Sequence, residues 1–397
     1  MAFFALELFT FIMFFQPAVV FPWLVPYRPY RYSAILALIL YLFFGEKSKQ
    51  AILSNRTTLY FLGFVGLQIL SASAIWIHGG IDIFNRWKNL IIIFILIFKS
   101  CTDERKIKRI LLMIVLGIIY LSYYSITNVI KNYEPGILAK GFGWYVNGND
   151  LVLILVSVIP LSLCLGELSS LILIRYLFLG TAAIFAFNIL LAGAREGLLG
   201  LMVVGSLGIL FAQKLSRLIK IFIACAMIAS ILTFGIATVM TRPDLGGQLT
   251  GDTSSETRII QWKACVRMVR AHPLLGVGPD ESASEMRNYG GVRGLVPHNT
   301  LIQAFAETGI PGGIFFVMCT IYPLWEAWKF FKIKANRSKL KEPPIILYKY
   351  LVIALGGFWA CAFFSNRIYF KILYVFIALI TALRENIIKK EQDIETR

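Results

Sequence analysis

Leu151-Val152-Leu153-Ile154-Leu155-Val156-Ser157-Val158-Ile159-Pro160-Leu161-Ser162-Leu163-Cys164-Leu165-Gly166 carries no charge, and its only hydroxyls are Ser157 and Ser162. Wound as an α-helix at about 1.5 Å per residue, such a run reaches most of the way across a hydrocarbon core about 30 Å thick. No water is present there, so the backbone must satisfy its own hydrogen bonds, which a helix does. Comparable runs recur at 3–23, 30–44, 57–77, 82–98, 110–130, 172–192, 197–212, 218–239, 300–328, 346–365 and 367–384. The pattern predicts an all-α, polytopic membrane helical bundle of about twelve transmembrane helices. It forms a single integral-membrane domain over 1–397. The first run has neither a basic segment before it nor a small-residue cleavage site after it, so it reads as a retained helix.

Composition agrees. Apolar residues make up 58% of the chain and the mean hydropathy is +0.72, well above the roughly 45–50% apolar content of soluble domains. The formal charge of +17 raises nucleic acid as a partner, but the cations are not pooled on one soluble face. They alternate along the loops as the positive-inside rule requires. Lys47, Lys49 and Arg56 fall in one inside loop, Lys99 to Arg109 in the next, then Lys214, Arg217 and Lys220, then Lys332 to Lys341, with Lys389 and Lys390 in the tail. The expectation is a multi-pass protein of a bacterial inner membrane with both termini cytoplasmic and no nucleic-acid partner. Cys164, Cys225, Cys319 and Cys361 lie in apolar runs, Cys101 in a basic loop and Cys265 alone in the long outer segment, so no structural disulfide is expected. The three histidines are widely spaced and offer no metal-ligand cluster, and no cofactor is implied.

Two outer segments interrupt the hydrophobic pattern. The shorter, Lys131 to Asp150, contains Gly141-Phe142-Gly143-Trp144 and Asn147-Gly148-Asn149, with Trp144 and Tyr145 suited to a membrane interface. The longer, 241–299, is expected to be a periplasmic loop that carries the catalytic elements. It opens with a turn region at Arg242-Pro243-Asp244 and Gly246-Gly247. Thr253 followed by Glu256 is a capping-box pattern, predicting a short amphipathic helix from near Ser254 to Ala271, where Pro273 stops it. Ile259, Trp262, Val266 and Val269 make one apolar stripe on it. Gly276-Val277-Gly278-Pro279 turns the chain, and His298-Asn299 stands immediately before the next membrane helix, where Asn299 or Thr300 can cap.

The outer side should be poor in cations, yet Arg28, Arg31, Arg86, Lys88, Arg195, Arg258, Arg267, Arg270, Arg293 and Arg367 fall at or near it. Many can snorkel from a span end at little cost. Arg195 sits in the small-residue turn Ala192-Gly193-Ala194-Arg195-Glu196-Gly197, where its guanidinium can offer paired donors to a phosphate or pair with Glu196. Arg258 gains nothing from the dipole at the start of its helix, so its partner is an anion elsewhere or solvent. Arg86 has Asp82 one turn before it as a surface pair. His298, with an ordinary pKa near 6.5, is within the range of general-base work, though a loop histidine is also simply polar surface.

At these residues the chain resembles a known family. Arg258-Ile259-Ile260-Gln261-Trp262-Lys263-Ala264, with His272-Pro273-Leu274-Leu275-Gly276-Val277-Gly278, resembles the outer loop of the O-antigen ligase and polymerase superfamily. His298-Asn299, nine residues, Gly309, two residues and Gly312 is similar to the ligase pattern. The resemblance implies an inverting, metal-independent glycosyltransferase. Its donor would be an O-antigen glycan on undecaprenyl pyrophosphate, and its acceptor a sugar hydroxyl of lipid A–core. By the same resemblance His298 matches the general base, while Arg195 and Arg258 match the two arginines that hold the pyrophosphate. Ala194 and Glu196 stand where members often have Ser and a small residue, which leaves Glu196 as an alternative base. Arg86, Lys88, Trp262 and Asn299 are candidates for further substrate contacts, and the apolar stripe with Trp262 for the polyprenyl chain or membrane lipid. A polymerase using the same donor type is the alternative within this class. A flippase or transporter fits the helix count as well, but needs charge inside several spans, and these spans are nearly free of it.

Overall fold

The computed structural model describes residues 1–45, 52–76, 78–131, 139–211, 253–334 and 343–385. The helices used below are α1 (Ala2–Phe15), α2 (Pro29–Phe44), α3 (Arg56–Ile75), α4 (Gly79–Ser100), α5 (Glu104–Lys131), α6 (Gly148–Glu167), α7 (Ile172–Ala192), α8 (Arg195–Phe211), α9 (Thr253–Ala271), α10 (Thr300–Lys334), α11 (Pro343–Ala362) and α12 (Lys371–Leu383). No strand occurs among the described residues. The run at 218–239, the turn region at 242–247 and most of the basic inside-loop residues named above lie outside them, so the loop expected at 241–299 is described from 253 onward.

Six of these helices are long and apolar enough to cross a membrane: α3, α5, α6, α7, α11 and the Thr300–Glu326 part of α10. The all-helical, multi-pass class of the expectation is shown, while the described residues provide six such spans and the expected run at 218–239 lies outside them. Gln16 and Pro17 break the first run. Gln16 adopts φ +52 and ends α1 at Phe15, because a residue before proline is disfavoured in the helical region. The last run yields α12, thirteen residues with every side chain from Ile372 to Leu383 buried. At about 1.5 Å per residue α12 is too short to span alone and serves as a central core helix.

α6 packs against α7, α11, α5 and α8, while α10 lies along α3 and α12 along α4. The outward faces are apolar: Phe43 is 77% exposed and Leu173 78% exposed. Large side chains so arranged on every outer helix belong in lipid and not in water. Asn188 bridges α7 to α5, donating from Nδ2 to Ser122 Oγ at 3.0 Å, while Trp87 Nε1 donates to Gln68 Oε1 at 2.8 Å. Two carboxylates lie inside helices where the sequence was read as nearly charge-free. Glu7 in α1 pairs with Arg109, and Glu307 in α10 is fully buried.

Candidate functional site

α9 spans Thr253–Ala271, the extent that the capping pattern and Pro273 predict. The face it packs on the protein is a different one from the apolar stripe. Gln261, Ala264, Cys265 and Met268 face inward onto Met286 and Ala306, while Ile259 is 49% and Val266 46% exposed. Small Ala264 and Cys265 let the helix approach Ala306 of α10 closely, which larger side chains would prevent. Burial among these apolar neighbours pushes the Cys265 thiol up to about 12. Ile259, Trp262 and Val266, with Lys263, Arg267 and Arg270, are left lining a depression of about 370 Å³ along α9.

After α9 the chain docks into a notch in α10. Gly309 interrupts the helix at φ +70 and ψ −173, which frees the Ile310 N–H to donate to Pro273 O at 2.8 Å. Val277 N donates to Ala306 O at 2.9 Å and Gly278 N to Glu307 O at 3.1 Å. A β-carbon on Gly309 would meet the Leu274 carbonyl carbon at 2.6 Å, and one on Gly276 would meet the Glu307 carbonyl carbon at 2.4 Å. Glycine is needed at both places, on both sides of one contact. Glu307 then fixes the following segment, its Oε1 accepting from Ser282 Oγ at 2.7 Å and Gln303 Nε2 at 2.9 Å.

His298 is held from both sides. Before it, Pro297 O accepts from Trp262 Nε1 at 2.7 Å, and the indole meets Phe363 edge to face. After it, Asn299 N donates to Asn366 Oδ1 at 3.2 Å, while Asn299 Oδ1 accepts from Ile302 N at 2.9 Å and caps α10. Thr300 Oγ1 ties the start of α10 to the α11–α12 connection, donating to Ser365 O at 2.6 Å and accepting from Arg367 N at 3.0 Å. Between these anchors His298 takes φ +49. Few side chains tolerate this left-handed conformation; histidine is among those enriched in it, and such positions concentrate at functional sites.

The imidazole is half-buried and its pKa lies below 6.5. Loss of solvent lowers it most, followed by the positive fields of Arg258 and Arg367. At neutral pH the ring is therefore uncharged and able to accept a proton. Arg367 Nε stands 2.9 Å from Asp150 Oδ1 at the head of α6, an ion pair between the α11–α12 connection and α6. Glu196, in the first turn of α8, is 5% exposed and lies in the field of Arg367, Asp150 and Arg258, with Oε1 unpartnered. Its carbonyl accepts from Cys361 Sγ at 3.2 Å, fixing α8 on α11.

The fold thus gathers His298, Arg258, Glu196, Trp262 and Asn299 at one end of the bundle. Arg195 opens α8 immediately before Glu196, after Gly193 ends α7 at φ +59. Arg86 pairs with Asp280 and not with Asp82, because the loop after Gly278 brings Asp280 across to α4. Lys88 donates to Asn85 on the exposed face of α4. Tyr145, expected at an interface, is buried against Phe370. Sequence reasoning placed Arg367 among the outer cations without assigning it to the site, and treated Asp150 only as part of a turn. The signal that was present is the polar pair Asn366-Arg367 between two apolar runs, three residues before α12, much as the polar pair His298-Asn299 stands directly before α10.

Residues 180–317 match the family described as O-antigen ligase. The matched segment holds Arg195, Glu196, Arg258, His298, Gly309 and Gly312, whereas Asp150 and Arg367 lie outside it. No curated protein matches the chain. The match over this segment and the multi-pass helical bundle around it support an O-antigen ligase-like superfamily member.

Proposed function

We propose that this protein is an O-antigen ligase of the inner membrane. It transfers a glycan from undecaprenyl pyrophosphate to a sugar hydroxyl of lipid A–core on the periplasmic face. One observation carries the reading: an imidazole kept neutral by burial and by two guanidiniums, and anchored through the residues on both sides of it. His298 takes the proton of the acceptor hydroxyl as its oxygen attacks the anomeric carbon. The bond to the pyrophosphate oxygen breaks on the opposite side, which inverts the centre. The leaving pyrophosphate keeps the electron pair, and Arg195 and Arg258 stabilise the charge that develops on it. Holding both substrates in line supplies much of the remaining acceleration. Glu196 sits among the same cations and is the second candidate for the base.

Deletion of the gene should leave bare lipid A–core while full-length polymer accumulates on its carrier, both read on gels. Core capped by a single repeat unit would identify a polymerase instead. In purified protein His298→Ala should abolish transfer with the fold intact, and Glu196→Gln should retain it. The reverse pattern would move the base to Glu196.

A further inference from the structure

Beside the His298 cluster, a cavity of about 390 Å³ opens between the Trp144–Tyr145 turn, the head of α6 and the segment from Asn366 to Lys371. Its size is within the range of small-ligand pockets, about 300–1,000 Å³. The wall next to His298 is the segment that positions it, since Asn366 Oδ1 receives Asn299 N and Arg367 N donates to Thr300 Oγ1. A ligand seated here shares this wall with the residues that anchor the base.

The lining carries hydrogen-bonding capacity that the protein leaves unspent. Gln303, 7% exposed, uses Nε2 on Glu307 and has Oε1 unpartnered. Asn366 uses Oδ1 on Asn299 and has Nδ2, with its two N–H groups, unpartnered, while Arg367 Nε is engaged by Asp150. Buried polar atoms without partners are costly and rare in native structures. Both a free acceptor and free donors are present, so the fitting ligand must itself donate and accept. Hydroxyl groups do both.

Charge narrows the class further. Asp150 and Asp280 line the cavity together with Arg367 and Lys371, and Asp280 is paired with Arg86. The two carboxylates offset the two lining cations, so the lining has no net positive charge to hold a pyrophosphate, whereas a neutral polyol finds both acceptors and donors. Trp144 forms a fixed aromatic wall, one ring face covered by Lys371 Nζ at 3.0 Å from the ring centre.

We propose that this cavity is the subsite for the acceptor sugar, a neutral pyranose whose attacking hydroxyl lies along the Asn366–Arg367 wall toward His298. The assignment rests on the transfer reading above and adds to it the place and chemistry of the second substrate. It is tested on the full chain in lipid nanodiscs with two variants. Val296→Phe fills the cavity from an apolar lining side chain. Gln303→Met removes the unspent acceptor at similar volume, together with the Nε2 donor to Glu307, so that the amide-exchange protection of Gly278 serves as its check on the docked loop. Each should raise the acceptor KM about tenfold or more, the loss of one or two hydrogen bonds, and leave the donor KM unchanged. Saturation-transfer NMR with core oligosaccharide released from lipopolysaccharide should show binding to the wild type and its loss in Val296→Phe. A rise confined to the donor KM, undiminished saturation transfer in Val296→Phe, or no saturation transfer to the wild type overturns the assignment. Oligosaccharide binding that Val296→Phe abolishes in a wild type unable to transfer glycan would uphold the cavity and sink the transfer reading instead.

Discussion

Gly309→Ala tests whether the family motif is a docking device. At φ +70 and ψ −173 the residue occupies a region open essentially only to glycine, and an alanine there costs about 1–3 kcal/mol. Its β-carbon would also stand 2.6 Å from the Leu274 carbonyl carbon and 2.7 Å from Pro273 O, both backbone atoms that cannot rotate away. Overpacking of that kind adds about 1–3 kcal/mol, so the total penalty is roughly 2–6 kcal/mol. Against it stand three backbone hydrogen bonds between the loop and α10, from Ile310, Val277 and Gly278. At about 0.5–1.5 kcal/mol each they hold the loop by about 1.5–4.5 kcal/mol. The penalty matches or exceeds the docking, so the loop should leave the notch while the bundle around α12 stays folded. Hydrogen–deuterium exchange in nanodiscs reads this directly. The Val277, Gly278 and Ile310 amides should exchange about two to three orders of magnitude faster, α6 and α12 should be unchanged, and transfer should be lost. Gly294→Ala is the control, at φ +78 with nothing within 4 Å of the added carbon. It should cost about 1–2 kcal/mol locally and leave exchange at the notch as it was. Wild-type protection of those amides in Gly309→Ala would refute the notch as the reason for the glycine.

Other expectations follow from the same geometry. The His298 pKa is depressed below 6.5, and the base acts when neutral, so transfer should fall only as pH drops through that depressed value; Arg367→Gln removes one depressing charge and should move the acid limb to higher pH, and an unmoved limb would take Arg367 out of the imidazole's field. Trp262→Phe removes the hydrogen bond to Pro297 O at about 1 kcal/mol and should slow transfer about fivefold, whereas Trp262→Ala, which also loses the contact with Phe363, should slow it further; equal rates for the two variants would assign the effect to packing alone. In wild-type protein the acid limb of kcat, measured with donor saturating, should lie at higher pH than that of kcat/KM for the donor, and coincident limbs would show that donor binding does not reach the imidazole.

Much of this was legible before any coordinates. Uncharged runs dictate helices in a membrane, and Thr253, Glu256 and Pro273 bounded α9 correctly because capping and chain termination are local chemistry. The face that α9 buries was not legible. Periodicity ranks residues by hydrophobicity, whereas here the closeness of α10 decides, and it selects Ala264 and Cys265 over Ile259 and Val266. Arg86 was paired with its nearest acidic neighbour in sequence, while its partner Asp280 is brought in by a loop whose path depends on the Gly276–Gly309 contact. Arg367 and Asp150 escaped for the same reason. They meet only when α6 and the α11–α12 connection pack side by side, and spacing along the chain carries no record of that.

A base surrounded by cations looks poorly designed, since the charges that depress the His298 pKa also weaken it as a base. The arrangement makes sense once the donor's own charge is counted. At an effective dielectric constant of about 20, a unit charge roughly 8 Å away is worth about 2 kcal/mol, or about 1.5 pKa units. On the proposed reading a lipid pyrophosphate bound at Arg195 and Arg258 brings negative charge to a site where Arg258 and Arg367 have lowered the imidazole pKa. It offsets part of their field, and the pKa of His298 rises toward its ordinary value. The neutral ring becomes a stronger proton acceptor only after the electrophile has arrived, and before that an imidazole of low basicity has little tendency to activate water. Asp150, paired with Arg367, sets how much positive charge is left for the donor to neutralise, while burial raises the Glu196 carboxyl to about 8 and so keeps it largely uncharged at neutral pH. The cations therefore serve both substrates: they bind the donor's phosphates directly, and through His298 they make activation of the acceptor conditional on that binding.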